Sequence, residues 1–126
     1  MGRAADVVFV EPTHAIERYY RAADVFVLAS IREANPVSLL EAMACGLPCL
    51  ASRIEGATDV IIEDGINGRL IERDDERGLA SALAGMLSNT AVAQRIGAQA
   101  RDTIVNHYDI RQTAAHWLQA YEDSLR

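Results

Sequence analysis

The apolar residues of this chain fall in short unbroken runs rather than in strict alternation. Val7-Val8-Phe9-Val10, Val25-Phe26-Val27-Leu28 and Cys49-Leu50-Ala51 are such runs, and Leu70-Ile71 behind Arg69 is a shorter one. A strand that is apolar on both faces needs cover on both faces, which a parallel sheet between helices supplies. The intervening segments are too long for hairpins and carry helical periodicity, over about residues 13–23, 37–44 and 58–63. Strands joined in this way form βαβ units. The expected fold is therefore α/β: a partial Rossmann-like parallel sheet of about four strands flanked by helices. Three further helices, at about 75–87, 90–105 and 111–124, make a helical C-terminal tail.

With 126 residues the chain suffices for a single domain over residues 1–126. Its net charge of −6 excludes the basic field that nucleic acids and anionic membranes require. All twelve basic residues are Arg, so Schiff-base chemistry and a phosphate-loop lysine are excluded. Cys45 and Cys49, with three residues between them, match no zinc or redox spacing and read as buried thiols in a reducing compartment. His14, His107 and His116 share no ligand spacing, so no metal is expected. No apolar run reaches ~18 residues, so no transmembrane segment is expected. The stretch from Met1 to Asp6 lacks an apolar signal core, and the expected location is cytoplasmic.

Right-handed crossovers place ligands at the carboxyl ends of parallel strands. The loop at residues 30–36 sits at such an end, and a helix follows it to Gly46, a C′ glycine, with Pro48 just beyond. Glu33 lies in the loop and Glu41 about one turn into the helix. Between them the helix start presents unpaired N–H groups and the positive end of its dipole, a site for phosphate. Carboxylates on either side of a phosphate suit a ligand whose hydroxyls donate to them. A nucleotide sugar is such a ligand, with a diphosphate between a ribose and a hexose.

Several blocks then combine into a resemblance. Tyr20-Arg21-Ala22-Ala23-Asp24-Val25-Phe26-Val27-Leu28, the segment from Glu33 to Ala44, Cys45-Gly46-Leu47-Pro48, and Asp64-Gly65-Ile66-Asn67-Gly68-Arg69-Leu70-Ile71 occur in that order. Together they resemble the C-terminal, donor-binding domain of retaining GT-B glycosyltransferases of the GT4 group, which carry two glutamates with seven residues between. The resemblance spans about residues 7–125 and corresponds to the second half of that nucleotide-sugar-binding domain.

The resemblance implies a UDP-, GDP- or ADP-sugar as donor and hexosyl transfer to an acceptor hydroxyl, with no bound metal or cofactor. Glu33, Ala34 and Asn35 would contact the donor sugar, Val37 and Ser38 the phosphates through backbone amides, and Glu41 the ribose. No residue is assigned as a catalytic acid or base. Ala34 stands where the family has glycine, and Pro36 has no N–H, which shifts the phosphate contacts to Val37 and Ser38. The family's phosphate-binding Arg and Lys, and its acceptor domain, lie upstream of the matching region. The chain alone is therefore expected not to transfer sugar.

The alternative is a non-catalytic interaction or dimerisation module derived from a glycosyltransferase. Ala114, Trp117, Leu118, Tyr121 and Leu125 form one apolar helical stripe, which must fold onto the sheet, pair with a copy or stay exposed. A homodimer is expected, or a partner chain that supplies the other half. A phospho-receiver domain fits the length but lacks its acidic pair and its lysine, since Glu11-Pro12 follows the first apolar run.

Overall fold

The computed structural model describes residues 6–126. The amino-terminal residues 1–5, part of the segment read above as lacking a signal core, lie outside the described residues. In chain order the elements are α1 (Ile16–Ala22), β1 (Phe26–Leu28), α2 (Val37–Ala44), β2 (Cys49–Ser52), β3 (Arg69–Ile71), α3 (Glu76–Ser88), α4 (Thr90–His107) and α5 (Ile110–Ser124). The strands form one parallel sheet in the order β1-β2-β3, with Phe26 opposite Cys49 and Ser52 opposite Ile71.

The central strand explains the unbroken apolar runs. Cys49 and Ala51 point into one cluster with Leu39, Met43 and Ala100, while Leu50 points into another with Met86 and Ile96. Both faces are covered by helices, so β2 has no polar side to show. Because all three strands run the same way, their carboxyl ends share one edge, where Ala29, Ser52 and Ile71 border a common cleft.

Helix α2 is held by spacing and by its end. Leu39, Ala42 and Met43 are fully buried, one turn apart, each large side chain contributing about 1.5–3 kcal/mol. The helix stops in a Schellman arrangement: the Leu47 N–H donates to the Ala42 carbonyl at 3.2 Å and the Gly46 N–H to that of Met43 at 2.9 Å. Gly46 takes φ +74°, which a residue without Cβ adopts freely. Arg101 on α4 donates to the Ala44 carbonyl, placing a cation at the negative end of α2. Gly97 allows this approach, because a Cβ there would overlap the Gly46 carbonyl oxygen.

Two expectations need correction. Among the described residues the sheet has three strands, not about four: Val7, Val8, Phe9 and Val10 form no strand, and Phe9 is 95% exposed. A strand needs a hydrogen-bonding neighbour, and among the described residues no strand pairs with this segment. Residues 58–61 form turns rather than a helix, and residues 62–63 are irregular. The Ile62 N–H donates to the Thr58 carbonyl in a single turn, and the Glu63 N–H then goes to the Asn67 side chain at 2.8 Å instead of extending it.

The other elements fall within a few residues of expectation. Thr13 accepts from the Ala15 N–H at 3.0 Å in a turn before α1, and α1 itself starts at Ile16. Asp75 and Asn89 cap α3 and α4 through the Gly78 and Val92 N–H groups. The turn before β3 is built from side chains. Asn67 accepts from the Glu63 N–H and donates to the Ile61 carbonyl and to Thr103 of α4, while Asp64 accepts from the Leu70 N–H. Helix α5 buries no residue, so its stripe does not fold onto the sheet. No helix of the described residues is long and apolar enough to cross a membrane.

Candidate functional site

The loop leaving β1 and the start of α2 bring Glu33, Ala34, Asn35, Val37 and Ser38 together at the carboxyl edge of the sheet. Glu33 is half-buried, and the Ser30 hydroxyl three residues earlier donates to its Oε1 at 2.7 Å. Among the described residues nothing donates to Glu33 Oε2.

Pro36 is the N-cap of α2, and its side chain caps nothing. At φ −76° and ψ 77° it centres an inverse γ-turn in which the Val37 N–H donates to the Asn35 carbonyl at 2.9 Å. The Leu39 and Leu40 N–H groups both turn back to the Pro36 carbonyl. The Ser38 N–H has no acceptor among the described residues. Of the two amides expected to meet phosphate, one is thus engaged and one is open, at the positive end of the helix.

Glu41 lies one turn further along α2 and is exposed, yet its carboxylate is not unattached. The Tyr20 hydroxyl of α1 donates to Oε2 at 3.0 Å. Tyr20 is itself buried, and its ring meets Phe26 edge to face at 5.9 Å. Burial first, and then the Glu41 carboxylate, push the phenol up to about 12, so it stays a donor at ordinary pH. Each glutamate of the pair is therefore held at one oxygen by a hydroxyl, while the other oxygen accepts nothing from the described residues.

Sequence reasoning missed Tyr20 and Ser30. Ser30 carried a local signal, a hydroxyl three residues before a loop carboxylate; Tyr20 lies 21 positions from its partner and carried none. Arg53, which flanks the edge, pairs with Glu72 at 3.0 Å. Thr58 and Asp59 are structural: Thr58 is fully buried, and Asp59 accepts from the Gly56 N–H at 2.8 Å.

The motif forms an open shelf rather than an enclosed pocket, since Ala34, Asn35, Val37 and Glu41 are all exposed. A cavity of about 670 Å³ lies at the amino edge of the sheet, lined by Tyr20, Val25, Pro48, Met86 and Gln94, and contains none of residues 30–41. Chemically the shelf can accept hydroxyl donors at two fixed carboxylates and an anion at the Ser38 amide. Among the described residues no group of three His, Cys, Asp or Glu is placed to hold a metal ion.

The family model described as "Glycosyl transferases group 1" matches residues 3–103. D-inositol 3-phosphate glycosyltransferase of Stackebrandtia nassauensis is 33% identical over 128 residues, covering 100% of this chain and 28% of that protein. The C-terminal domain of the group 1 family glycosyl transferase LpcC from Francisella tularensis superposes with TM-score 0.73 at 31% identity, over 82% of this chain and 53% of that one. HepE from Anabaena, solved in complex with UDP, superposes with TM-score 0.78 at 25% identity, over 86% of this chain and 30% of that one. The chain spans 31% and 28% of the first two curated relatives it matches.

Proposed function

This chain belongs to the group 1 glycosyl transferases, and on that premise we propose that it is the nucleotide-sugar-binding portion of a GT4-type retaining enzyme. The reaction is hexosyl transfer from an NDP-sugar to an acceptor hydroxyl. The observation that carries this reading is the pair of hydroxyl-held carboxylates, Glu33 and Glu41, on either side of an open helix-start amide at Ser38.

Glu33 accepts hydroxyls of the donor sugar through Oε2, with the backbone of Ala34 and Asn35 beside it. The Ser38 N–H takes the diphosphate, and the Val37 N–H joins it when the γ-turn to Asn35 opens. Glu41 accepts the ribose hydroxyls through Oε1. As the bond to the anomeric carbon breaks, negative charge grows on the diphosphate, and the fixed dipoles at the helix start stabilise it without reorganising. The acceptor enters from the same face, so configuration is retained.

These 126 residues contain no Lys, and Arg53 near the edge is engaged by Glu72. Arg32, in the loop beside Glu33, is the remaining basic side chain of the motif, and one Arg offsets only part of the charge of a departing diphosphate, so the chain by itself binds donor without transferring it. Amide chemical-shift mapping with UDP, GDP and ADP tests the site. Saturable shifts clustered at residues 33–41 support it; shifts elsewhere, or none, reject it.

A second reading rests on α5, whose Trp117, Leu118 and Tyr121 are each more than 60% exposed on one stripe. A contiguous exposed apolar face marks an interaction surface. Here the chain is an interaction module whose copies pair through α5. Light scattering that returns a monomer mass at high concentration rejects this reading.

A further inference from the structure

We propose that Tyr20 is a positioning residue for ligand binding: its hydroxyl fixes Glu41 Oε2, so that Oε1 is presented to the ribose hydroxyls in a set orientation. The inference rests on the ribose-binding reading of Glu41. Tyr20 itself never touches the ligand.

Three observations carry it. Tyr20 is the only buried residue of α1, so the donor sits on a fixed ring rather than on a mobile side chain. That ring is held by the edge-to-face contact with Phe26 and by the cluster around Leu39 and Met43. The acceptor, by contrast, is an exposed glutamate on a helix surface, which samples several rotamers unless something restrains it. A hydroxyl bond to one oxygen sets the plane of the carboxylate and leaves the lone pairs of the other for a ligand. Ordering the side chain before the nucleotide arrives removes that entropy loss from the binding step.

Packing alone does not call for a hydroxyl here. Phe at position 20 would fill the same volume and keep the contact with Phe26, leaving no buried polar atom unsatisfied. The hydroxyl acts toward Glu41, across a gap of 21 positions in the chain.

The test uses the full chain as wild type, Tyr20→Phe, Glu41→Gln, Glu41→Ala and the double variant Tyr20→Phe/Glu41→Ala. The probes are UDP, GDP and ADP, each with its 2′,3′-dideoxy counterpart. Tyr20→Phe is expected to weaken binding of the ribonucleotide roughly three- to ten-fold, the worth of one hydrogen bond, and to leave the dideoxynucleotide unchanged. In the Glu41→Ala background it should have no further effect. Glu41→Gln keeps an acceptor for the hydroxyl, so it should lose less than Glu41→Ala and remain sensitive to Tyr20→Phe.

Wild-type affinity in Tyr20→Phe alongside a weakened Glu41→Ala overturns the positioning role and leaves the ribose site standing. Equal weakening of both nucleotide forms by Tyr20→Phe also overturns it, because a general packing defect does not discriminate at the ribose. Wild-type affinity in Glu41→Ala, or no binding by the wild type, overturns the ribose site and the inference with it.

Discussion

The Tyr20 hydroxyl donates to Glu41 Oε2 across 3.0 Å, joining the buried face of α1 to the exposed face of α2. Burial and this carboxylate raise the phenol from 10.0 to about 12. A group whose pKa is raised by folding contributes stability that is whole below its ordinary value and is lost as pH climbs through the folded value. Cys49, pushed from 9.0 to about 12 chiefly by burial, acts in the same direction and begins lower. Stability should therefore fall between about pH 9 and 12, and the fall should be shallower above pH 10 in Tyr20→Phe. Urea midpoints measured across that range check it; parallel curves for the two proteins contradict it.

Gly97 and Gly85 make opposite predictions for the same substitution. A Cβ at Gly97 overlaps the Gly46 carbonyl where α4 crosses the end of α2, whereas a Cβ at Gly85 on α3 meets nothing within 4 Å. Gly97→Ala should destabilise the chain by about 1–3 kcal/mol, outweighing the better helix propensity of Ala. Gly85→Ala should stabilise it by up to ~1 kcal/mol. Equilibrium denaturation of the two variants gives both signs directly.

Asn67 concentrates much of the order of the turn before β3. It is 6% exposed and makes hydrogen bonds to Glu63, Ile61 and Thr103, the last reaching across to α4. Asn67→Ala removes all three and leaves backbone groups unpaired, a loss of about 2–3 kcal/mol. Hydrogen exchange should quicken at the Glu63 amide first, since that amide loses its only acceptor.

The apolar stripe of α5 predicts a change in assembly rather than in stability. Trp117 and Tyr121 touch each other at 6.0 Å between ring centres and touch no buried cluster. Trp117→Ser combined with Leu118→Ser should shift stability by no more than ~0.5 kcal/mol. If copies pair through this face, sedimentation velocity should show a dimer in the wild type and a monomer in the variant.

What could be read in the sequence was local. The bounds of α2, its Gly46 stop and the three paired strands follow from apolar spacing and turn chemistry, which act over a few residues. The loop and helix of the candidate site were legible for the same reason, because Glu33 and Glu41 sit within one continuous segment. Val7-Val8-Phe9-Val10 has the composition of a strand, but a strand needs a neighbour, and composition does not report one. Residues 58–63 were misread because the Glu63 N–H, which would carry the turn on into a helix, is taken by the Asn67 side chain four residues later. The Tyr20–Glu41 bond depends on how α1 lies against α2, which no window along the chain contains.

The most direct test of the account is calorimetric titration of the purified chain with UDP, GDP, UDP-glucose and GDP-mannose, repeated on Glu41→Ala. Glu41 is exposed on a helix, so the variant keeps the fold while removing the proposed ribose acceptor. The account predicts saturable binding of one nucleotide and its sugar, weakened at least ten-fold in the variant, as expected when a charged hydrogen-bond acceptor is lost. Absence of binding to all four, or equal binding by both proteins, would contradict it.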